Sequence, residues 1–197
     1  MRILVTGFEP FGAVQANPSQ MIVQRLAERN PDLLTLVLPT EYRAAADKIR
    51  AAIESWEPDA VVSLGVAQNR TQITLERVAL NLDDASIPDN SGALASGDPI
   101  EAEGPLAYPS TLPIQRMLAA LKAREIPAAI SNHAGTYVCN HVFYSVRHWV
   151  EGSGRDIPCG FIHVPGLPSA TGDGAQGMPL EQMIAAVEIC LAALSPE

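Results

Sequence analysis

The sequence has no long apolar segment and no cluster of basic residues, and each absence excludes a class of protein. Of its 197 residues 47% are hydrophobic, but the apolar runs are short and interrupted. None approaches the roughly 20 consecutive residues that span a bilayer. The formal net charge is −9, so nucleic acids and other polyanions are not expected partners. Small neutral ligands or peptides suit this charge better.

Cysteine is also scarce. Cys139, Cys159 and Cys190 are odd in number and far apart in sequence, which argues against a disulfide framework. No two of them have the spacing of zinc ligands. Residues 1–7 indicate a first strand rather than a signal peptide, because a signal peptide needs a longer apolar region and a small-residue cleavage site. We therefore expect a cytoplasmic protein.

Short apolar strands alternate with helical patterns along the chain, and no repeat or linker interrupts them. Strands are predicted at 3–5, 33–38, 60–65, 127–131 and 160–164. Helices are predicted from Asn17 to about Leu26 and at 41–56, 113–124, 139–150 and 179–194. Residues 71–80 predict a hairpin or a pair of extended segments, and 83–113 an irregular functional stretch. This order predicts one domain over 1–197, a three-layer α/β/α sandwich with a mainly parallel, twisted sheet.

Four loops follow predicted strands, and ligands of parallel sheets bind beyond the carboxyl ends of the strands. The loops begin after Thr6, Leu64, Ser131 and Val164. We expect all four at one edge of the sheet. Polar residues that break the local pattern in or near these loops are the best candidates for catalysis.

Cys139 is the first candidate, because it lies where a Gly-containing loop meets a predicted helix. A thiol in the first turn of a helix is exposed to the positive end of the dipole, which lowers its pKa. The free N–H groups of that turn could hold an oxyanion. The alternative to a catalytic role is that Cys139 packs in the core as a small hydrophobic residue. Cys159 opens a strand, and Cys190 lies in the apolar last helix, which favours a core position.

His163 and Glu76 are the other candidates. His163 interrupts an apolar strand and could exchange protons with a thiol, although a hydrogen-bonded core histidine is equally compatible with its position. Glu76 could orient that imidazole, or could pair with Arg77 or another neighbour. His133 has nothing specific to orient it. His141 and His148 are expected on the surface.

The segment TGFEPFG at 6–12 does not match a dinucleotide-binding loop. Its glycine spacing departs from G-x-G-x-x-G, and Pro10 with two phenylalanines would crowd a pyrophosphate. Phe8 and Phe11 are better explained as walls of a small apolar pocket, and simple core packing is the alternative.

Six segments in order resemble the pyroglutamyl peptidase I family, also called pyrrolidone-carboxylate peptidases. They are TGFEPFG at 6–12, NPS at 17–19, TLERVALN at 74–81, IPDN at 87–90, AGTYVCN at 134–140 and FIHVP at 161–165. The likeness extends along nearly the whole chain, and six segments in the same order are highly specific.

The resemblance implies a cysteine peptidase that removes an N-terminal pyroglutamyl residue from peptides. It implies a Cys-His-Glu arrangement at Cys139, His163 and Glu76, no metal or other cofactor, and a homotetramer. The implied pocket for the lactam ring falls on Phe8, Phe11, Thr40, Ile87, Tyr137 and Val138.

Two further binding positions depart from the family pattern. Val66 stands after Gly65 where a glutamine often contacts the lactam, and Gln68 follows two residues later. Ser86 stands where many relatives carry an arginine thought to assist the oxyanion.

Two other functions are weighed beside this one. A nucleoside phosphorylase-like transferase would need basic side chains that converge on phosphate, and Arg70 and Arg77 are the available ones. A non-catalytic binder would keep the pocket but lose turnover through the changes at Val66 and Ser86.

Overall fold

The sheet and its helices follow the predicted order closely. The computed structural model describes residues 1–12, 16–168 and 177–195. Its strands are β1 (Ile3–Phe8), β2 (Leu34–Leu38), β3 (Ala60–Val66), β4 (Ile73–Leu80), β5 (Asp83–Asp84), β6 (Ser96–Asp98), β7 (Ala107–Pro109), β8 (Ala128–His133) and β9 (Cys159–Val164). Its helices are α1 (Pro18–Arg29), α2 (Tyr42–Trp56), α3 (Ile114–Ala123), α4 (Val138–Ser153) and α5 (Leu180–Ala192).

Seven strands form the main sheet, and β5 and β6 pair separately. The order is β2-β1-β3-β9-β4, and β4 also pairs with β7 and β8. The first four strands are mutually parallel, whereas β4 runs antiparallel to β9. Strand β8 is parallel to β4, so it also opposes β9. The sheet is therefore mixed but mostly parallel.

The direction of β8 corrects one expectation. The loop after Ser131 was expected at the same edge as the loops after Thr6, Leu64 and Val164. Because β8 opposes β9, its carboxyl end lies at the other edge of the sheet. Residues 134–137 return the chain to the start of α4, and Gly135 adopts a φ of 82°, which is accessible to glycine.

Helices cover both faces of the sheet and give the three layers. Helices α1, α3 and α5 pack together over one core, which contains Ile22, Met117 and Ile184. Helices α2 and α4 pack on the opposite face over a second core, which contains Ile49 and Phe143. Because each face of the sheet is covered, the central strands are apolar almost throughout, as parallel strands usually are.

The start of α1 has the predicted cap. The Asn17 side chain accepts a hydrogen bond from the Ser19 N–H at 3.0 Å, and Pro18 occupies the first helical position. The helix continues three residues beyond Leu26, to Arg29.

Residues 71–80 differ from their prediction. They form the single strand β4 rather than a hairpin or two extended segments. Helices α3 and α4 cover the two faces of the sheet at β4. Ile73–Glu76 are therefore buried, and the alternation of polar and apolar residues does not indicate an exposed face. The stretch 83–113 is largely irregular and contains the three short strands β5, β6 and β7.

Buried thiols and phenols predict that the fold weakens in alkali. Burial raises the pKa of Cys190 and of Tyr144 to about 12 each. A group with a raised folded-state pKa contributes full stability below its unfolded value and loses it as the pH rises through the folded value. We expect the free energy of unfolding, measured with denaturant and a reductant, to fall between about pH 9 and 12. Equal stability at pH 8 and 11 would contradict this.

None of the helices in the described part of the chain has the length and apolar content required to cross a bilayer.

Candidate active site

Cys139 is the second residue of α4, at the edge of the sheet where β3 and β9 end. Tyr137 precedes the helix in an extended conformation, and its side chain makes no capping bond. The first N–H groups of a helix have no partner within it. They are therefore free to donate to a group held near the Cys139 thiol.

Asn140, next to the thiol, ties the start of α4 to the end of β4. Its side chain accepts from Leu80 N–H at 2.9 Å and donates to the carbonyls of Leu80 and Leu82 at 2.9 and 3.0 Å. Asn140 is fully buried, so these bonds replace all its contact with water. The sequence analysis did not single out this residue.

Gly65 lets the thiol approach the sheet. A Cβ atom added to Gly65 would lie 2.7 Å from the Cys139 sulfur and 2.9 Å from the Phe161 ring. Real side chains do not tolerate such contacts, so only glycine fits between the thiol and the ring. The cysteine therefore sits directly against the end of β3.

Gly65→Ala is expected to displace Cys139 and reduce activity at least about 100-fold, because misplacement of a reacting group by about 1 Å can cost that much. The measurement is kcat/KM on the substrate that the family resemblance implies, with the denaturation midpoint recorded in parallel. Gly152→Ala is the matched control, since Gly152 lies in α4 with open space around its Cα. An unchanged kcat/KM in Gly65→Ala would contradict the packing argument.

His163 neighbours Gly65 across the sheet and is paired on its other side with Thr74. Side chains of directly paired residues point to the same face, so the imidazole lies beside the thiol. Its Nδ1 lies 2.8 Å from Glu76 Oε1, and its ring lies 4.8 Å from that of Phe161. This leaves Nε2 as the nitrogen available to the thiol or a substrate.

Glu76 is wholly buried on β4, two residues from Thr74 and hence on the same face. Burial alone would raise the pKa of Glu76. The hydrogen bond from His163, the charge that this ring carries when protonated, a bond from Ser131 and the charge of Arg70 together hold the pKa below its usual value. Arg70 also bonds to Glu76 Oε1. The carboxylate is thus ionised. Its ion pair is with Arg70, whereas Arg77, weighed as an alternative partner, is exposed.

The thiol itself differs from expectation. The helix dipole was expected to lower the pKa of Cys139. Desolvation, followed by the charge of Glu76, instead raises this pKa to about 12, against the smaller opposing effect of Arg70. The resting sulfur is therefore a neutral thiol at pH 7, and it needs a base to become a nucleophile.

A small cavity of about 40 Å³ opens beside the thiol. Apolar and aromatic side chains supply most of its wall. The lining residues are Phe8, Phe11, Asn17, Thr40, Val66, Tyr137, Val138 and Cys139. Six of the eight positions predicted for substrate binding are thus brought together. Asn17, seen in the sequence only as a helix cap, was missed.

Ser86 and Ile87 are the two predicted positions that the structure leaves outside the cavity wall. Both are exposed, and Ile87 retains 47% of its accessible surface. They lie in the irregular stretch that follows β5. This stretch is linked to the cavity wall through Tyr137, whose hydroxyl donates to the Pro88 carbonyl at 3.0 Å.

Glu9 holds the loop that carries Phe8 and Phe11. Its carbonyl accepts from the side chains of Asn17 and Thr40 at 3.1 and 3.0 Å. Its carboxylate accepts from the Thr40 N–H and the Asn90 amide at 3.3 and 3.1 Å. Four segments of the chain thus converge on one residue that sequence reasoning did not select.

The remaining thiols are far from this chemistry. Cys159 and Cys190 are fully buried, and burial raises the pKa of both. Cys190 belongs to the core under α5, as predicted.

The other histidines are placed differently from expectation. His141 is buried rather than on the surface, and its Nδ1 lies 2.6 Å from Asp83 Oδ2. His148 is half-buried and lies 3.0 Å from the Tyr108 hydroxyl. His133 is exposed, and its ring Nδ1 accepts a local bond from the Gly135 N–H at 3.1 Å.

Arg70 and Arg77 do not converge on a phosphate-sized site. The Arg70 guanidinium is engaged by Glu76 and Thr74, whereas the Arg77 side chain is exposed. Arg70 is thus already paired with a carboxylate, and a transferase that needs both arginines finds no support here.

Comparison with known proteins extends over the whole chain. The family model described as pyroglutamyl peptidase matches residues 1–197. A pyrrolidone-carboxylate peptidase from Gloeobacter violaceus is 44% identical over 202 residues, covering 100% of this chain and 98% of its own. Pyrrolidone-carboxylate peptidase 1 from Caldanaerobacter subterraneus is 40% identical over 195 residues, covering 97% and 96%.

Solved structures agree with these relatives. The crystal structure of Bacillus amyloliquefaciens pyroglutamyl peptidase I is 38% identical, with a TM-score of 0.92, covering 98% of this chain and 96% of its own. Pyrrolidone carboxyl peptidase from Pyrococcus furiosus is 37% identical, with a TM-score of 0.92 and 98% of both chains covered. The chain belongs to the pyroglutamyl peptidase family of cysteine peptidases.

Proposed function

We propose that this enzyme hydrolyses the bond after an N-terminal pyroglutamyl residue of peptides, with Cys139 as nucleophile, His163 as base and Glu76 as orienter. The observation that carries the proposal is the packing of the Cys139 sulfur against Gly65, whose neighbour His163 bonds to buried Glu76. The names of the relatives support the same substrate class.

The apolar cavity beside the thiol suits a neutral lactam. Phe8, Phe11, Tyr137 and Val138 offer no charged group to a bound ligand. An ordinary peptide amino terminus would lose its hydration there without gaining a partner, which is unfavourable by several kcal/mol. A pyroglutamyl ring has no such charge and enters without that cost.

Acylation begins with proton transfer, because the pKa of Cys139 is raised and its thiol is neutral. His163 Nε2 takes this proton, and the sulfur attacks the carbonyl carbon between pyroglutamate and the next residue. The carbonyl oxygen gains the negative charge and accepts bonds from N–H groups at the start of α4. His163 then gives the proton to the departing amine nitrogen, the C–N bond breaks, and a thioester remains.

Deacylation uses the same groups in the reverse roles. His163 removes a proton from water, and the resulting hydroxide attacks the thioester carbonyl. The C–S bond breaks, the sulfur recovers its proton from His163, and pyroglutamate leaves. Throughout, Glu76 fixes the ring through Nδ1 and stabilises the imidazolium in each half-reaction.

Val66 and Ser86 bear on two steps of this mechanism, recognition of the lactam ring and stabilisation of the oxyanion. Val66 gives the cavity an apolar wall where relatives often present an amide, so ring recognition would lack that amide contact. Ser86 is exposed and carries no positive charge. The oxyanion therefore depends on the N–H groups at Cys139, and turnover is expected to be slower than in relatives that carry an arginine there.

The proposal also includes assembly into a homotetramer in the cytoplasm, as the family resemblance implies. Leu94 and Leu106 retain 60% and 88% of their accessible surface, so assembly would have apolar side chains to bury. Light scattering of the purified protein at micromolar concentration measures the mass directly.

The deciding experiment compares fluorogenic amides of pyroglutamate, glutamine and proline. We expect cleavage of the pyroglutamyl amide, with the other two at least about 1,000-fold slower, since a desolvated charge costs several kcal/mol and each 1.4 kcal/mol is tenfold. Comparable cleavage of all three, or none of the pyroglutamyl amide at pH 6–9, would overturn the proposal.

A further inference from the structure

Arg70, in the loop between β3 and β4, makes a set of contacts that the mechanism above does not use. Its Nη1 donates to Glu76 Oε1 and to Thr74 Oγ1, and its Nη2 donates to Ser131 Oγ at 3.3 Å. One guanidinium thus joins β4 to β8 directly beneath the His163–Glu76 pair. The acceptor on Glu76 is the same oxygen that bonds to His163 Nδ1.

The charges around the imidazole make this contact important. The titratable groups near His163 are Glu76 from β4, Cys139 from α4 and Arg70 from the loop after β3. The segment of β8 packed there supplies the neutral Ser131. Among the described residues in this set, Arg70 is the group whose positive charge does not depend on pH. A buried carboxylate requires a compensating charge, and either Arg70 or a protonated His163 can supply it.

We propose that Arg70 is a positioning residue that neutralises Glu76, so that His163 remains uncharged and can accept the Cys139 proton. The inference rests on the proposed function of these three residues. Without Arg70, the buried carboxylate would have His163 as its charge partner. The imidazole would then hold its proton in the resting enzyme and would be unable to act as a base.

The geometry also explains why arginine suits this position. Its planar fork reaches Glu76 and Ser131 through different nitrogens, whereas a lysine ammonium is a single point charge. Glu76 Oε2 has no hydrogen-bond partner in the described part of the chain. The carboxylate orientation is therefore set by bonds to Oε1 alone, from Arg70, His163 and Thr74.

Arg70 can be reached from outside, which makes a chemical test feasible. Its side chain is 30% exposed, and it lines an open cavity of about 390 Å³. Polar and small side chains form the remaining wall of this cavity, which includes Thr74 and Ser131. A small guanidinium ion could occupy the space that a shortened residue 70 leaves.

The test measures kcat/KM for a pyroglutamyl amide from pH 5 to 10 in Arg70→Gln. We expect a loss of about 10- to 100-fold at pH 7, within the range for impaired acid–base catalysis. The acid limb of the profile should move up by about one to two pH units, because each unit corresponds to a tenfold change in proton affinity. The loss should therefore shrink above pH 8, with KM little changed.

Arg77→Gln is the matched control, since Arg77 lies on β4 next to Glu76 and is exposed. Its acid limb should stay in the wild-type position. Arg70→Lys keeps the charge and loses the fork, so its limb should also stay, with a reduced plateau. If Arg70→Gln does not fold, Arg70→Lys still tests the proposal, because a shifted limb in that variant would overturn it.

Rescue separates a charge role from a structural one. Methylguanidinium at millimolar concentration should restore activity to Arg70→Ala at least several-fold, and should leave wild type and Arg77→Gln unchanged. A pH-independent loss in Arg70→Gln, or no rescue of folded Arg70→Ala, would overturn the inference. Failure of wild type to cleave the amide would instead refute the proposed function, so the two failures are distinguishable.

Discussion

Replacing Cys139 with alanine is expected to lower kcat/KM for a pyroglutamyl amide by at least about 10⁴-fold, because covalent chemistry stops when the nucleophile is removed. Desolvation raises the pKa of the Cys139 thiol. No other described cysteine can replace it as nucleophile, since Cys159 and Cys190 are fully buried. Steady-state kinetics at pH 7–8 give the result.

The fold should survive this change. Cys139 is half-buried and lies at the rim of the cavity, so truncation removes one atom from a site that already opens to solvent. The denaturation midpoint should change little, and pyroglutamate should still bind. Cys190→Ala is the matched control, which should keep activity while losing stability by about 1 kcal/mol from the core. Full activity in Cys139→Ala would refute the mechanism.

Glu76→Gln is expected to reduce kcat about 10²- to 10⁴-fold with a smaller effect on KM. The amide keeps the shape of the carboxylate but loses the charge that stabilises the imidazolium, and an amide nitrogen turned towards Nδ1 favours the wrong tautomer. The same nitrogen would also face Arg70, which then lacks its anionic partner. Both effects fall on the chemical step rather than on binding.

The matched control is Glu28→Gln, which changes an exposed carboxylate paired with Arg25 on α1. Exposed pairs contribute little, so both activity and stability should stay near wild type. Burst and steady-state kinetics on an activated pyroglutamyl ester would locate the loss. A kcat in Glu76→Gln equal to that of wild type would exclude an orienting role.

Local pattern predicted most of the fold because most elements have strong periodic signals. Helix α1 follows from Asn17 and Pro18, and β3 from its continuous apolar run. Strand direction could not be predicted in the same way. Whether β4 runs with or against β9 depends on which strands meet across the sheet, and residues 71–80 contain no local sign of that pairing.

The residues of the candidate site also differ in whether a local pattern predicts them. Cys139 and His163 stand out because each breaks a pattern within its own segment. Arg70 is recognisable as part of the site only when Glu76 and Ser131, 6 and 61 residues away, lie beside it. Ser86 and Ile87 were assigned to the pocket through the family pattern, and both side chains are exposed. Whether a supporting residue such as Arg70 belongs to the site therefore depends on long-range contacts, which a local pattern does not contain.

The position of β9 has a consequence for protein synthesis. Among the described residues it is the last strand in chain order, yet it lies between β3 and β4 in the middle of the sheet. A nascent chain that has not emerged beyond Val164 leaves both neighbours with unpaired edges, and such edges are prone to aggregation. It also lacks His163, the proposed base. On the proposed mechanism, the growing polypeptide therefore becomes active only after His163 has left the ribosome.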